Sequence, residues 1–175
     1  MVTYTEGNIF ESSAQVITNP INCVGVMGKG LALQFKQKYP QMFADYKARC
    51  AKREVKLGEP YLWDDEYVQI LNFPTKDQWQ QKSKLSYIED GLKFIAENYT
   101  LLGIHSLALP PLGCGLGGLS WDEVQPLIEK YLGPLADLEV YVYVPKGASI
   151  KRSDDSKLEE GYTELRPEQA AQPSL

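Results

Sequence analysis

The feature that most constrains the fold is a glycine-rich loop between an apolar strand and a helix. The stretch spans residues 19–39, NPINCVGVMGKGLALQFKQKY, and has glycines at positions 25, 28 and 30. Glycine adopts backbone conformations and permits close approaches that a side chain would block. The first N–H groups of the helix that follows have no internal partners, and the helix dipole favours negative charge in front of them. The loop therefore predicts an anion-binding site.

A second stretch near the other end of the chain repeats the arrangement. It has the sequence PPLGCGLGGLSW, residues 110–121, between a strand and a helix. One such loop alone is most often a tight turn, whereas two that each open into a helix favour a ligand with more than one phosphate. The second loop also satisfies GxGxxG, but a nicotinamide-binding fold usually has more of its sheet after this motif than the one strand that remains here.

Strand and helix patterns alternate along the chain. The sequence predicts strands at residues 3–6, 15–19, 61–63, 67–73, 106–109 and 139–144, and helices at 29–39, 40–52, 86–99 and 120–132. We expect Pro20 to stop the second strand, Ser86 with Glu89 to form a capping box, and Pro126 to kink the last helix or delay its start. This alternation is typical of a three-layer α/β/α domain with a mixed central sheet, which binds ligands at the carboxyl ends of its strands.

Composition limits the partners and the compartment. A net charge of -5 argues against coating a nucleic acid or a membrane, although it leaves room for a local basic groove. Three cysteines without a CxxC motif and one histidine predict no metal site. The chain has no signal-peptide pattern and no bilayer-spanning run, so we expect a reduced, cytoplasmic monomer. We assign residues 1–146 to the domain and residues 147–175 to a flexible polar tail or linker.

The two glycine loops together resemble those of macrodomains, the family of α/β/α domains that bind ADP-ribose. The chain is most similar to the branch that contains terminal ADP-ribose protein glycohydrolase and the bacterial DarG antitoxins, over about residues 2–144. DarG-type macrodomains are understood to remove ADP-ribose from thymidine in single-stranded DNA and so to undo the toxin DarT. The resemblance implies a hydrolase of ADP-ribosylated DNA, with ADP-ribose as ligand and product, no cofactor, and a DarT-like toxin as partner.

The resemblance also assigns ligand contacts to three segments of the chain. Asn8 and Ile9 match the region that meets adenine, and Asn22 matches the position that faces the distal ribose. The two glycine loops would form the walls of a diphosphate groove, with Met27, Gly28, Lys29 and Gly30 on one side and Gly113, Cys114, Gly115, Leu116 and Gly117 on the other. Cys23 and Cys114 are expected to pack rather than to act as nucleophiles.

A lysine after the strand at residues 67–73 is the catalytic candidate. The related glycohydrolase uses a lysine in this region, and the match is Lys76 in NFPTKDQW. An uncharged amine could attack the anomeric carbon of the ribose and form a covalent intermediate. This requires a pKa below the usual value of about 10.4, through partial burial or nearby positive charge. Without the resemblance, Lys76 is no better a candidate than Lys82 or Lys84.

The second glycine loop departs from the relative at one position. The related glycohydrolase has a catalytic aspartate where this chain has Gly117, and no acidic residue lies between Pro110 and Trp121. Lys76 could work without that partner, an acid from elsewhere could serve, or the protein could bind ADP-ribose without cleaving it. The alternative functions are thus a non-catalytic ADP-ribose-binding module, or a deacylase or glycohydrolase acting on O-acetyl-ADP-ribose or ADP-ribosylated protein.

The polar segment at residues 76–84, KDQWQQKSK, gives an independent indication of nucleic-acid binding. It interleaves Trp79 with Lys76, Lys82 and Lys84. Single-stranded nucleic acids are held by aromatic side chains that stack on unpaired bases and by cations near the backbone. We therefore predict Trp79, Lys82 and Lys84 as DNA contacts. The alternative is an exposed loop whose Trp79 folds back onto the domain.

Overall fold

The structure is a computed structural model that describes residues 1–150. Most of the predicted tail, from residue 151 onward, lies outside the described residues. A short 3-10 helix covers Ile9–Glu11. The strands are β1 (Val2–Thr5), β2 (Val16–Ile21), β3 (Tyr61–Asp64), β4 (Gln69–Pro74), β5 (Ser106–Leu109) and β6 (Glu139–Tyr143). The helices are α1 (Gly30–Lys38), α2 (Pro40–Ala51), α3 (Leu85–Asn98) and α4 (Trp121–Leu132).

The six strands form one mixed sheet in the order β1-β6-β5-β2-β4-β3. All neighbouring pairs are parallel except β3 with β4, which form an antiparallel hairpin. The predicted α/β class and the mixed sheet are therefore confirmed. Within residues 1–150, no helix is both long and apolar enough to cross a membrane.

Two separate apolar cores cover the two faces of the sheet, which makes the domain three layers thick. Val16 of β2 and Leu71 of β4 pack with residues of α3 and α4, whereas their neighbours Ile17 and Ile70 pack with residues of α1 and α2. Successive residues of a strand point to opposite faces, so a strand buried on both faces is continuously apolar. This explains why both faces of β2 and β4 carry apolar residues, although the buried Thr18, Asn19 and Asn72 interrupt them.

The sheet order brings three loops together. Strands β5, β2 and β4 are neighbours, and their carboxyl ends lead into residues 110–120, 22–29 and 75–84. The ladder between β2 and β4 extends over six residue pairs, but the ladder between β2 and β5 stops after Ile17 and Ala108. The chains after β2 and β5 are therefore not joined by strand pairing, and the two glycine loops lie on either side of this break.

Pro20 does not stop β2, contrary to the prediction, because its backbone faces away from β4. The N–H of Thr75 donates to the Ile21 carbonyl oxygen at 2.8 Å, so Ile21 directs its backbone groups at β4. Successive residues of a strand alternate their backbone direction, and Pro20 therefore points towards β5, which pairs only with the first two residues of β2. The missing N–H of proline leaves no ladder bond broken.

The predicted helix starts were only partly right. Helix α3 begins at Leu85 with Lys84 as its N-cap, so Ser86 and Glu89 form no capping box. Glu89 instead accepts a hydrogen bond from Tyr131 of α4 at 2.6 Å. Helix α4 begins at Trp121, without the delayed start that Pro126 suggested.

Gly91 allows α3 to lie close to the end of β4, and this contact predicts the effect of a substitution. A Cβ at position 91 would overlap the ring of Phe73, including Cε1 at 2.7 Å, and this ring is fully buried. Alanine normally stabilises a helix interior by about 1 kcal/mol relative to glycine. Because overpacking costs about 1–3 kcal/mol, we expect Gly91→Ala to lower the free energy of unfolding in urea denaturation.

The exposed Ser86 of the same helix provides the control. Ser86→Ala should change the free energy of unfolding by less than about 0.5 kcal/mol. If Gly91→Ala proved stabilising, the close approach between α3 and Phe73 would be refuted.

Candidate functional site

The first glycine loop is held in shape by Tyr46 of α2 and by Asn22 at the loop's start. The fully buried Tyr46 hydroxyl lies 2.7 Å from Asn22 Oδ1 and accepts the N–H of Gly25 at 3.2 Å. Asn22 Oδ1 also accepts the N–H of Val24 at 3.1 Å, and its Nδ2 donates to the carbonyl of Val26 at 2.7 Å. Burial raises the pKa of Tyr46, which keeps its hydroxyl protonated. These bonds fix the loop before any ligand binds.

Among the predicted ligand contacts before α1, some residues can offer a side chain and others only their backbone. Asn22 is 8% exposed. It donates one of its two amide hydrogens to the Val26 carbonyl oxygen and could donate the other to a ligand. The side chains of Ile9 and Met27 are buried in the core beneath α1 and α2, so only their backbone can meet a ligand. Asn8 is exposed, and its Oδ1 caps the 3-10 helix through the N–H of Phe10 at 3.0 Å.

The amino end of α1 faces the second glycine loop. Lys29 is the N-cap of α1 but makes no side-chain capping bond, so its side chain does not occupy the first N–H groups of the helix. Gly30 has a φ of +60°, and a Cβ there would lie 3.6 Å from Cδ1 of Leu116. Leu116 is 64% exposed. The structure thus places one predicted groove wall, with the favourable end of a helix dipole, against the other.

The second glycine loop is too tight for a side chain at Gly117. A Cβ there would overlap Ser83 Oγ and would lie 2.5 Å from the carbonyl oxygen of Gly113. Gly113 itself has a φ of +72°, and its carbonyl accepts the N–H of Leu119 at 2.9 Å. The aspartate of the related glycohydrolase therefore has no room at this position in the observed loop conformation. At Gly115, by contrast, an added Cβ meets nothing within 4 Å.

The loop that carries Lys76, residues 75–84, is bonded to both glycine loops; we call it the lysine loop. The N–H of Cys23 in the first glycine loop donates to the carbonyl of Asp77 at 3.0 Å. The N–H of Ser83 donates to the carbonyl of Gly117 in the second glycine loop at 3.0 Å. Backbone hydrogen bonds thus hold the lysine loop at both of its ends.

Lys76 is partly buried in this arrangement. Its Nζ donates to the carbonyl oxygen of Trp79 at 3.4 Å, and burial lowers the pKa of its amine. The direction agrees with what a nucleophilic lysine needs, and burial is one of the two causes considered for it. The ion pairs among residues 1–150 are Arg49 with Asp45 and Lys130 with Glu89, so no carboxylate of the described chain opposes this shift through a salt bridge to Lys76.

The two site cysteines are poor nucleophiles. Burial is the main cause that raises the pKa of Cys23 to about 12 and that of Cys114 to about 11. A thiol rather than a thiolate therefore predominates at neutral pH, which favours packing over chemistry. Among residues 1–150, no group of three or more histidine, cysteine, aspartate or glutamate side chains is placed to hold a metal ion.

Comparison with known proteins decides the family. A family model for the Macro domain matches residues 18–128. The chain belongs to the macrodomain family.

Several relatives share more than the fold with this macrodomain. A Mycobacterium tuberculosis protein named DNA ADP-ribosyl glycohydrolase is 42% identical over 85% of the chain, which spans 44% of that protein. The structure of the macrodomain of Mycobacterium tuberculosis DarG superposes with a TM-score of 0.81 at 41% identity, over 83% of this chain and 99% of that one. Thermosipho africanus DarTG in complex with ADP-ribose gives a TM-score of 0.81 at 40% identity, over 90% of this chain and 44% of that one.

The sequence did not reveal which residues hold the macrodomain's loops in place. Ser83 and Tyr46 make these contacts, yet neither belongs to a glycine motif. Trp79 is 49% exposed. This value lies between those expected for a fully exposed ring that could stack on a base and for a ring folded back onto the domain. Lys82 and Lys84 are exposed in the same loop. The ligand roles of these residues, like those of Asn8 and the groove walls, remain predictions.

A pair of glycine substitutions tests the tight contact at Gly117. We expect Gly117→Ala to lower the free energy of unfolding by about 1–3 kcal/mol, because the new methyl group overlaps Ser83 and the Gly113 carbonyl. Gly115→Ala should change it by less than about 0.5 kcal/mol, since its methyl group enters open space. Urea denaturation of both variants provides the measurement, and equal losses would contradict the assigned geometry.

Proposed function

We propose that this macrodomain removes ADP-ribose from ADP-ribosylated thymidine in single-stranded DNA, with Lys76 as the reactive residue. The observation that carries the proposal is the partly buried lysine with a lowered pKa, in a loop bonded to both glycine loops. The named relatives support the substrate, although the chain spans 44% of the Mycobacterium tuberculosis protein. The proposal therefore assumes that the glycohydrolase activity of these relatives resides in the part that this chain matches.

The ligand would lie across the break between β2 and β5. The diphosphate would face the amino end of α1 and the backbone of residues 113–117. Asn8 and Ile9 would meet the adenine. The distal ribose would then extend towards Asn22 and the lysine loop, which is bonded to the first glycine loop through Cys23. The Thermosipho africanus DarTG structure with ADP-ribose supports ADP-ribose as the ligand.

In the proposed reaction, the neutral Nζ of Lys76 attacks the anomeric carbon of the distal ribose. A carbon–nitrogen bond forms to Lys76 while the bond to thymine breaks, and its electron pair leaves with the base, which takes up a proton. Water then hydrolyses the covalent adduct, which frees ADP-ribose and regenerates the amine. The intermediate divides one difficult displacement into two easier steps. Gly117 contributes only backbone to this reaction.

The partners follow from the same relatives. The name DarTG joins a DarT with a DarG, which supports a DarT-like toxin as the partner of this chain. We further propose that the protein acts as an antitoxin in the cytoplasm and that the domain is a monomer. An alternative is an ADP-ribose-binding module without turnover, which the absence of an acid at Gly117 favours. The test below separates the two.

Replacement of the lysine gives the direct test. Lys76→Ala should slow the release of ADP-ribose from an oligonucleotide modified on thymidine by on the order of 10³-fold or more, because the attacking electron pair is lost. ADP-ribose binding, measured by calorimetry, should persist, since the groove walls are intact. Release of ADP-ribose is measured by chromatography under single-turnover conditions.

Lys93→Ala removes an exposed lysine of α3 and should leave the rate unchanged. Full activity of Lys76→Ala would transfer the role to Lys82 or Lys84. If the wild-type protein released no ADP-ribose from the modified oligonucleotide, DNA glycohydrolase activity would be refuted. In that case, release from an ADP-ribosylated protein or deacylation of O-acetyl-ADP-ribose would identify the other hydrolases, and binding without any turnover would identify the binding module.

The pH dependence of the rate tests the protonation state of Lys76. Only the neutral amine can attack, so the single-turnover rate should rise with pH through the pKa of Lys76 and level off above it. Because burial lowers this pKa from 10.5, the rise should occur at lower pH than for an ordinary lysine. A rate that falls with increasing pH between about 6 and 10 would contradict attack by a neutral amine. Lys93→Ala should leave the profile unchanged.

A further inference from the structure

A surface depression of about 470 Å³ lies along the loop that carries Lys76 and is not part of the predicted ADP-ribose groove. Its lining comes from the lysine loop and the first turn of α3: Asp77, Gln81, Lys82, Ser83, Lys84 and Tyr87. None of these residues belongs to either glycine loop. Asp77 follows Lys76 directly in the chain, so one edge of the depression is formed by the residue next to the proposed reacting lysine.

Ser83 separates the depression from the second glycine loop. It is 6% exposed, and its Oγ lies where a Cβ at Gly117 would be, so the hydroxyl faces that loop and not the open depression. The backbone bond from Ser83 to Gly117 fixes the hydroxyl at this place.

Cations and an aromatic ring line the depression. Lys82 and Lys84 bring two positive charges against the single carboxylate of Asp77. The ring of Tyr87 is half-buried, with Lys84 Nζ 5.7 Å from its centroid. An aromatic face with cations beside it matches the base and the phosphate of one unpaired nucleotide, because bases stack on the ring and the ammonium groups neutralise the backbone.

We infer that this depression binds an unmodified nucleotide that neighbours the ADP-ribosylated thymidine. Tyr87 stacks on its base, Lys82 and Lys84 contact its phosphates, and Gln81 bonds to the edge of the base. The inference rests on the proposed function, since the position beside Lys76 is what relates the neighbour to the reacting nucleotide. It adds Tyr87 and Gln81 to the predicted DNA contacts and gives the protein a means of choosing the flanking base.

The experiment compares two substrates that differ only in the flanking nucleotides. One is a short single-stranded oligonucleotide ADP-ribosylated on thymidine, and the other is ADP-ribosylated thymidine monophosphate. Wild type should have a higher kcat/KM on the oligonucleotide by about 5- to 150-fold, the range that base stacking on one ring supplies. Tyr87→Ala should lower kcat/KM on the oligonucleotide and leave kcat/KM on the monophosphate unchanged, so most of the preference is lost. Tyr87→Phe should retain the preference.

Tyr67→Ala is the matched control, because Tyr67 is 90% exposed and lies in the turn between β3 and β4. It should keep the preference. Equal losses on both substrates in Tyr87→Ala, or no preference in wild type, would overturn the inference. Thermal melting of each variant establishes that it is folded.

Binding of unmodified oligonucleotide separates a failure of this inference from a failure of the proposed function. Fluorescence anisotropy of the Lys76→Ala protein with a labelled oligonucleotide does not depend on turnover. Lys82→Ala and Lys84→Ala should each reduce the slope of log affinity against log salt by about 0.7, the value for one phosphate of a single strand. Unchanged slopes, or equally good competition by an acidic peptide, would overturn the nucleotide site even if the enzyme is active.

Discussion

Two backbone hydrogen bonds, from Cys23 to Asp77 and from Ser83 to Gly117, join the three loops on which the site depends. They link the lysine loop to one glycine loop at each end. Because both bonds are between main-chain atoms, they require the backbones to approach closely, and a Cβ at Gly117 would prevent this. The glycines therefore serve two needs at once. In the proposed function, they expose amides towards the diphosphate, and they let the lysine loop attach to the second glycine loop.

The sheet below the loops contains a second polar link. Asn19 of β2 donates to Asn72 of β4 at 3.0 Å, and both side chains are fully buried. A buried amide pair stabilises little on balance, but it is costly to break, because each partner would be left without its hydrogen bond. The pair lies just before the two strands give way to the first glycine loop and the lysine loop. It therefore favours one relative position of these loops.

The local signals of the sequence were enough for most of the framework. Glycine loops, apolar strands and helices were predictable because each depends on residues close together in the chain. Pro20 was misjudged because its effect depends on which neighbour its backbone faces, and that follows from the sheet order. Ser83 and Tyr46 could not be found, since their partners are distant in sequence. The ADP-ribose assignments came from the family resemblance, whereas the residues alone indicated an anion site and, in the segment at residues 76–84, nucleic-acid binding.

The observed loop conformation also explains how the site can lack an acid at Gly117. The carbonyl of Gly113 and the hydroxyl of Ser83 occupy the space where an aspartate side chain would begin, so the acid does not fit while the backbone of Ser83 is bonded to Gly117 in the observed position. This bond holds the lysine loop in the position where Lys76 is partly buried, and burial lowers the pKa of its amine. In the proposed reaction, the packing of Ser83 against Gly117 thus has two effects. It leaves no room for an acid at position 117, and it keeps Lys76 partly buried, which lowers the pKa of its amine. Reactivity would then come from desolvation of the amine and from a firm position against the ribose, without a carboxylate from this loop.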